Sequence, residues 1–121
     1  MRITELKNKV AAIMVKDYDH EVPDKLRSKD FQRLFSCYMR SVAKNIGGTW
    51  HGSSGCYCEA SGFVECGEKF VYVCTNDYRW RDWSKGILFR TAESLKDYHG
   101  GSNNFADLEE LEERIKNLLR R

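Results

Sequence analysis

Residues 62–75 read Gly-Phe-Val-Glu-Cys-Gly-Glu-Lys-Phe-Val-Tyr-Val-Cys-Thr, and this stretch decides the fold. Two short apolar runs lie on either side of Gly67, a pattern typical of two strands joined as a β-hairpin. Similar stretches occur before and after it. The predicted strands are Thr49–Glu59, Gly62–Cys66, Phe70–Thr75 and Ile87–Ala92. The sequence therefore predicts an antiparallel sheet of about four strands.

Helical periodicity precedes this sheet. Apolar residues at helical spacing predict a first helix over Ile3–Tyr18, and the polar segment Asp19–Lys29 is interpreted as a loop. Ser28 is expected to cap a second helix, which carries an apolar stripe and stops at Gly47 and Gly48.

A last helix follows the sheet, with Asn104 or Asp107 as its expected N-cap. Its regularly spaced apolar residues are Leu108, Leu111, Ile115 and Leu118. Such a stripe usually packs on the parent sheet, although a subunit contact uses the same spacing. The order of elements predicts one α+β domain over residues 1–121, with N-terminal helices, an antiparallel sheet and a C-terminal helix.

Composition narrows the classes of function. The 20 Lys and Arg against 18 Asp and Glu give a net charge of +2, so nucleic acid is an unlikely partner. No apolar run approaches the roughly 20 residues that a membrane helix needs, and no secretory signal is visible, so we expect a cytoplasmic protein. Five cysteines in such a chain are expected to be free thiols.

The segment Asn76–Gly86 is the least ordinary part of the chain, because a long connection between two strands carries several planar side chains. The candidate ligand-binding residues in it are Arg79, Trp80, Arg81 and Trp83. Guanidinium forks suit phosphate, and indole faces suit a stacked base, so together they favour a nucleotide. Alternatively, the tryptophans close the edge of the core and the arginines pair with Asp77 and Asp82.

Arg90 interrupts the apolar run Ile87–Ala92, and a buried guanidinium requires an anionic or carbonyl partner. Asp97 can be that partner. Alternatively, Arg90 faces a pocket and meets a ligand phosphate, with Thr91 beside it. The residues leave both interpretations open.

Gly100 and Gly101 permit close approach of the backbone, and a helix start directly after them exposes free amide groups that can bind an anion. A tight turn followed by an N-cap requires the same residues. In the nucleotide interpretation the ribose is bonded by Thr91, Asn103 and Asn104.

Metal binding and catalysis have weaker support. The candidate zinc ligands are Cys56, Cys58, Cys66 and Cys74, with His51 nearby. Their spacing lacks a Cys-x-x-Cys pair, and small core residues explain them equally well, so we predict neither a metal nor another cofactor. The three histidines lie in separate segments without a catalytic motif. We therefore expect a binding protein rather than an enzyme, although an Asp and His pair acting on a nucleotide is the rival.

A family resemblance is carried by several short motifs within residues 62–121. They are Phe70-Val-Tyr-Val73, Asn76-Asp-Tyr-Arg79, Leu88-Phe-Arg-Thr-Ala92, Lys96-Asp-Tyr98 and Gly100-Gly-Ser-Asn-Asn104. Together they resemble the first type of Thoeris anti-defence proteins, which are bacteriophage sponges that sequester the cyclic ADP-ribose signals of bacterial TIR-domain enzymes.

The resemblance implies a protein of the infected host's cytoplasm that grips a cyclic ADP-ribose isomer or cyclic nucleotide by stacking and by contacts to its diphosphate, without turnover. It also implies a homo-oligomer, a dimer or a hexamer, in which the last helix contributes Leu108 and Arg114 to the interface. The alternative is a phage inhibitor that binds a host defence protein such as a CRISPR effector, with exposed Trp and Arg as anchors.

Overall fold

The computed structural model describes residues 2–18, 25–53, 60–75, 87–97 and 100–120. Within those ranges it contains three helices and five strands. In chain order they are α1 (Ile3–Tyr18), α2 (Lys25–Ile46), β1 (Thr49–Ser53), β2 (Ala60–Cys66), β3 (Lys69–Thr75), β4 (Ile87–Ala92), β5 (Asn104–Ala106) and α3 (Leu108–Leu119). The predicted α+β class, with N-terminal helices, an antiparallel sheet and a C-terminal helix, is confirmed.

The five strands form one sheet in the order β1-β2-β3-β4-β5, and every neighbouring pair is antiparallel. The predicted hairpin at Gly67 is present, because Cys66 pairs with Lys69 and leaves a two-residue turn between them. Gly67 has φ +64°, the left-handed conformation that such a turn requires and that glycine adopts without strain.

The helices cover one face of the sheet. Alternate residues of the strands point toward them, as the period of two requires, and meet the apolar stripe of α2. The core contains Phe31, Phe35, Met39, Val42, Val64, Val71, Val73, Ile87, Phe89, Leu111 and Ile115. The opposite face carries a second, smaller buried cluster of Phe63, Tyr72, Cys74 and Leu88. Both faces of the sheet centre are therefore buried.

α3 packs on the sheet, as the commoner interpretation of its stripe predicts. Leu108, Leu111 and Ile115 are buried in the core, and Leu119 rather than the expected Leu118 completes the set. The Tyr38 hydroxyl on α2 donates to the Leu108 carbonyl at 3.3 Å. Burial of this phenol, then the carboxylates of Glu112 and Glu109, raise the pKa of Tyr38 well above its usual range.

One boundary prediction is wrong, and of the two caps predicted for the last helix the structure has Asp107. α2 begins at Lys25, so Ser28 lies inside the helix rather than at its N-cap. The residues from Lys25 onward include good helix formers, and a serine within a helix costs only about 0.5 kcal/mol, so the helix extends past it. Asn104 is not a cap either, because it lies in β5, while Asp107 caps α3 by accepting the Glu110 amide at 3.1 Å.

A fifth strand was not predicted. β5 has three residues, which is too short to show a period of two in the sequence. β2 begins at Ala60, and the end of the predicted strand Thr49–Glu59 falls outside the described residues after Ser53. In the described part of the chain, no helix combines the length and apolar character needed to cross a membrane.

Candidate functional site

Arg90 lies near the end of β4, on the face of the sheet that the helices do not cover. Its direct cross-strand neighbour is Tyr72 on β3, and the guanidinium carbon lies 4.8 Å from the centre of the tyrosine ring. Nη1 donates to Oδ1 of Asn103 at 3.1 Å. The ring and the carboxamide together fix the orientation of the guanidinium.

One edge of this guanidinium is unused. Nε is shielded from solvent and has no hydrogen-bond partner in the described part of the chain. Nε and Nη2 form the side of the fork that binds carboxylate or phosphate through two parallel hydrogen bonds. An unsatisfied buried donor costs about 1–3 kcal/mol, so an oxyanion that reached this edge would recover that free energy.

Arg90 has an asparagine as its hydrogen-bond partner, while Asp97 closes a turn. Its Oδ2 accepts the Glu93 amide at 3.0 Å, and its Oδ1 accepts the Gly100 amide at 2.7 Å. A carboxylate that accepts two backbone amides ties the residue after β4 to the first of the two glycines. The described contacts of Asp97 therefore give it a structural role.

The two glycines serve this turn. Gly101 has φ +73°, and a β-carbon there would lie 2.5 Å from the carbonyl oxygen of Thr91. Only glycine satisfies both the backbone angle and the close approach. The turn interpretation of Gly100 and Gly101 is therefore supported.

The predicted anion site at the start of the last helix is wrong, because β5 separates the glycines from α3. The first turn of α3 already has an anionic partner, since the Asp107 carboxylate accepts an amide there. Glu109 and Glu110 add two more negative charges to the same turn. A second anion at this position would be repelled.

Two neighbouring cavities lie at the end of β4 and share Thr91, Ala92 and Glu93. The first has a volume of about 540 Å³ and is also lined by Ser94, Asp97 and the two glycines. The second has a volume of about 620 Å³ and lies between the sheet and the end of α3. Asn104 lines this second cavity, and its Nδ2 donates to the carbonyls of Ser102 and Phe89 at 2.9 Å and 3.4 Å.

The predicted ligand-binding residues are thus divided between two places. Arg90 and Asn103 are joined on the side of the sheet opposite the described helices. Thr91 lines both cavities, Asp97 the first and Asn104 the second. Because adjacent residues of a strand point to opposite faces, the side chains of Arg90 and Thr91 cannot converge on one small group. The predictions for Arg79, Trp80, Arg81 and Trp83 lie outside the described residues.

The predicted interface residues already have partners within the chain. Leu108 is buried in the core. Arg114 donates from Nη1 to the carbonyl of Phe105 at 3.2 Å and lies 5.3 Å from the centre of the Phe89 ring. The same guanidinium is 3.7 Å from the Glu110 carboxylate. Arg114 therefore occupies a backbone acceptor of β5, which is an edge strand of the sheet.

The cysteines that the structure describes do not converge. Cys66 packs against the helix-facing core, whereas Cys74 belongs to the cluster on the opposite face. Cys37, Cys66 and Cys74 are free thiols, and Cys56 and Cys58 lie outside the described residues. Nε2 of His51 lies 2.9 Å from a carboxylate oxygen of Glu65. The described ranges contain no group of three or more potential metal ligands.

Tyr72 is the site residue that sequence reasoning missed. The sequence indicated that β3 and β4 are neighbours, and such pairing places one residue of β3 directly opposite Arg90. The register was the missing information, since an eleven-residue connection between the strands does not fix it. Comparison with protein-family models, with curated proteins and with solved structures finds no match.

Proposed function

We propose that this protein binds a phosphorylated nucleotide signal, of the cyclic ADP-ribose or cyclic nucleotide class, and holds it without cleaving it. The observation that carries the proposal is the unused Nε–Nη2 edge of Arg90, which is oriented by Tyr72 and Asn103. A planar cationic edge with two donors is complementary to a phosphate oxygen pair.

The nucleotide class comes from the sequence. Trp80 or Trp83 is expected to stack on the base, and Arg79 and Arg81 to meet a second phosphate. Thr91 and Asn104 line cavities that Arg90 does not line, so Asn103, which bonds the Arg90 guanidinium, is the proposed polar contact beside the phosphate. The wider function that follows is that of a phage sponge, which blocks an anti-phage pathway in the bacterial cytoplasm by removing its signal.

Such a protein acts by stoichiometry, so its affinity must be high. A nanomolar Kd corresponds to about 12 kcal/mol, and two charge-assisted hydrogen bonds supply only about 3–6 kcal/mol of it. The remaining free energy has to come from stacking and from further phosphate contacts. A homo-oligomer that closes the site with a second copy is one source of them, and it belongs to the same proposal.

The test combines binding with chemical recovery. Purified protein is titrated calorimetrically with cyclic ADP-ribose isomers and with cyclic dinucleotides, then heat-denatured, and the released ligand is identified by mass spectrometry. Tight binding with release of unchanged ligand supports the proposal, and a hydrolysed product would make the protein an enzyme. Absence of heat with every nucleotide would overturn the proposal.

A second candidate function is inhibition of a host defence protein by direct binding. It is favoured by Phe105 and Leu95, two large apolar side chains that are 43% and 37% exposed. Exposed aromatic residues anchor many protein interfaces. In this case a purified CRISPR effector or similar partner would co-elute with the protein, and Phe105→Ser would abolish the complex while leaving any nucleotide binding unchanged.

A further inference from the structure

The second cavity has chemistry opposite to that of the Arg90 edge. It is a groove between the β2–β3 turn, the end of β4 and the end of α3, with a volume of about 620 Å³. Its apolar lining includes Val71, Ala92, Leu118 and Leu119. A cavity of this size with an apolar floor can hold a small organic molecule.

Two of the three charged residues that line the groove in the described chain are acidic. Glu68 and Glu93 are exposed, and neither side chain has an ion-pair or hydrogen-bond partner among the residues that the structure describes. Lys69 is the one basic residue that lines the groove within the described chain, and its Nζ donates to the Leu119 carbonyl at 2.7 Å. That contact places the lysine on the carbonyl end of α3, where its charge interacts favourably with the helix dipole.

The polar groups left over are mostly hydrogen-bond acceptors. Both glutamates offer carboxylate oxygens, and the Nδ2 donor of Asn104 is already used by two backbone carbonyls. An aliphatic ammonium has three donors, no acceptor and a positive charge. We infer that the groove between Glu68, Glu93 and Leu118 binds an aliphatic polyamine, with its ammonium groups on the glutamates and its methylene chain on the leucines.

The proposal explains why phosphate should avoid this groove. Two unpaired carboxylates repel an anion, and the adjoining smaller cavity adds Asp97 to the negative side. A methylene chain with charges at its ends matches an apolar floor with acidic groups at its rim, in the way that lysine stems lie along apolar surfaces. The groove and the Arg90 edge therefore take ligands of opposite charge.

The test titrates spermidine and putrescine into the protein by calorimetry in low salt. Spermidine should bind more tightly than putrescine, and Glu68→Gln with Glu93→Gln should weaken spermidine roughly tenfold. The matched control is Glu113→Gln, an exposed glutamate of α3 without a described partner, which should change the Kd less than twofold. Addition of 0.15 M salt should weaken the binding, since the contacts are exposed.

Two further arms make the outcome decisive. Arg90→Met should leave spermidine binding unchanged, and inorganic phosphate should not compete, so failure of the nucleotide proposal would not affect this one. The proposal would be overturned if spermidine gave no heat of binding at about 10 mM, a concentration above the range of most weak sites. An equal loss of spermidine affinity in the Glu113→Gln control would also overturn it. Binding of an acetylated Leu-Lys peptide without binding of spermidine would also overturn it and assign the groove to a protein segment.

Discussion

Replacing Arg90 with methionine should separate binding from stability. The change removes the hydrogen bond to Asn103, worth about 1 kcal/mol at a half-buried position, and the contact over the Tyr72 ring, worth about 0.5–1 kcal/mol. It also removes the unpartnered Nε, whose burial costs about 1–3 kcal/mol. The terms nearly cancel, so the free energy of unfolding should change by less than about 1 kcal/mol.

The effect on ligand binding should be much larger. Loss of two charge-assisted hydrogen bonds, at about 1.5 kcal/mol each, raises the Kd for the nucleotide by roughly 100-fold. Arg90→Lys keeps the charge but lacks the planar fork, so it should recover only part of the affinity. Urea unfolding and calorimetry on the same preparations measure both quantities.

Arg40→Met is the matched control, because it makes the same charge change on the exposed surface of α2. It should alter neither the Kd nor the unfolding free energy measurably. The reasoning is refuted if Arg90→Met destabilises the protein by more than about 2 kcal/mol while nucleotide affinity is retained, since Arg90 would then be a structural residue.

Three further predictions concern the fold. Gly101→Ala should lower the unfolding free energy by more than Gly47→Ala, because both glycines have a positive φ but only Gly101 has a close neighbour at the β-carbon position. The positive φ alone costs about 1–2 kcal/mol, and thermal melts of the two variants measure the difference. Asp107→Ala should cost about 1 kcal/mol in urea unfolding by removing the N-cap of α3, and Asp107→Ser should restore most of it. Above pH 10 the unfolded chain releases the Tyr38 proton while the folded state retains it. The free energy of unfolding should therefore fall above pH 10 by up to about 1.4 kcal/mol per pH unit. Tyr38→Phe should remove that fall, and an unchanged alkaline slope would contradict the assignment.

The elements with strong local patterns could be predicted from the sequence. The bounds of α1 and β4 agree with the prediction, and Gly67 marked the hairpin because glycine is needed at a positive φ. The start of α2 and the strand β5 could not be predicted. In the first, helix propensity outweighed a cap signal at Ser28, and in the second, three residues carry too little pattern and are held by pairing with β4.

In the candidate site, the sequence indicated Arg90 but not the arrangement of the residues around it. A lone arginine in an apolar strand predicted an anionic or carbonyl partner, and the structure gives it the side-chain carbonyl of Asn103, with the Tyr72 ring beside it, rather than Asp97. The division of Arg90 from Thr91 also follows from strand alternation. The cavities and the acidic groove depend on how α3 ends against the sheet, and that arrangement involves contacts between residues far apart in the chain, such as Lys69 with Leu119.

Arg114 partly protects the edge strand β5 from pairing with strands of other molecules. Exposed edge strands can pair with strands of other molecules, and this becomes more frequent at high protein concentration. The guanidinium occupies the Phe105 carbonyl, so a recruited strand would have to compete for an acceptor that is already bonded. The proposed one-to-one capture of a nucleotide would require quantities of protein that match the ligand. Protection of this edge would let the chain accumulate to such quantities without fibrous growth from β5.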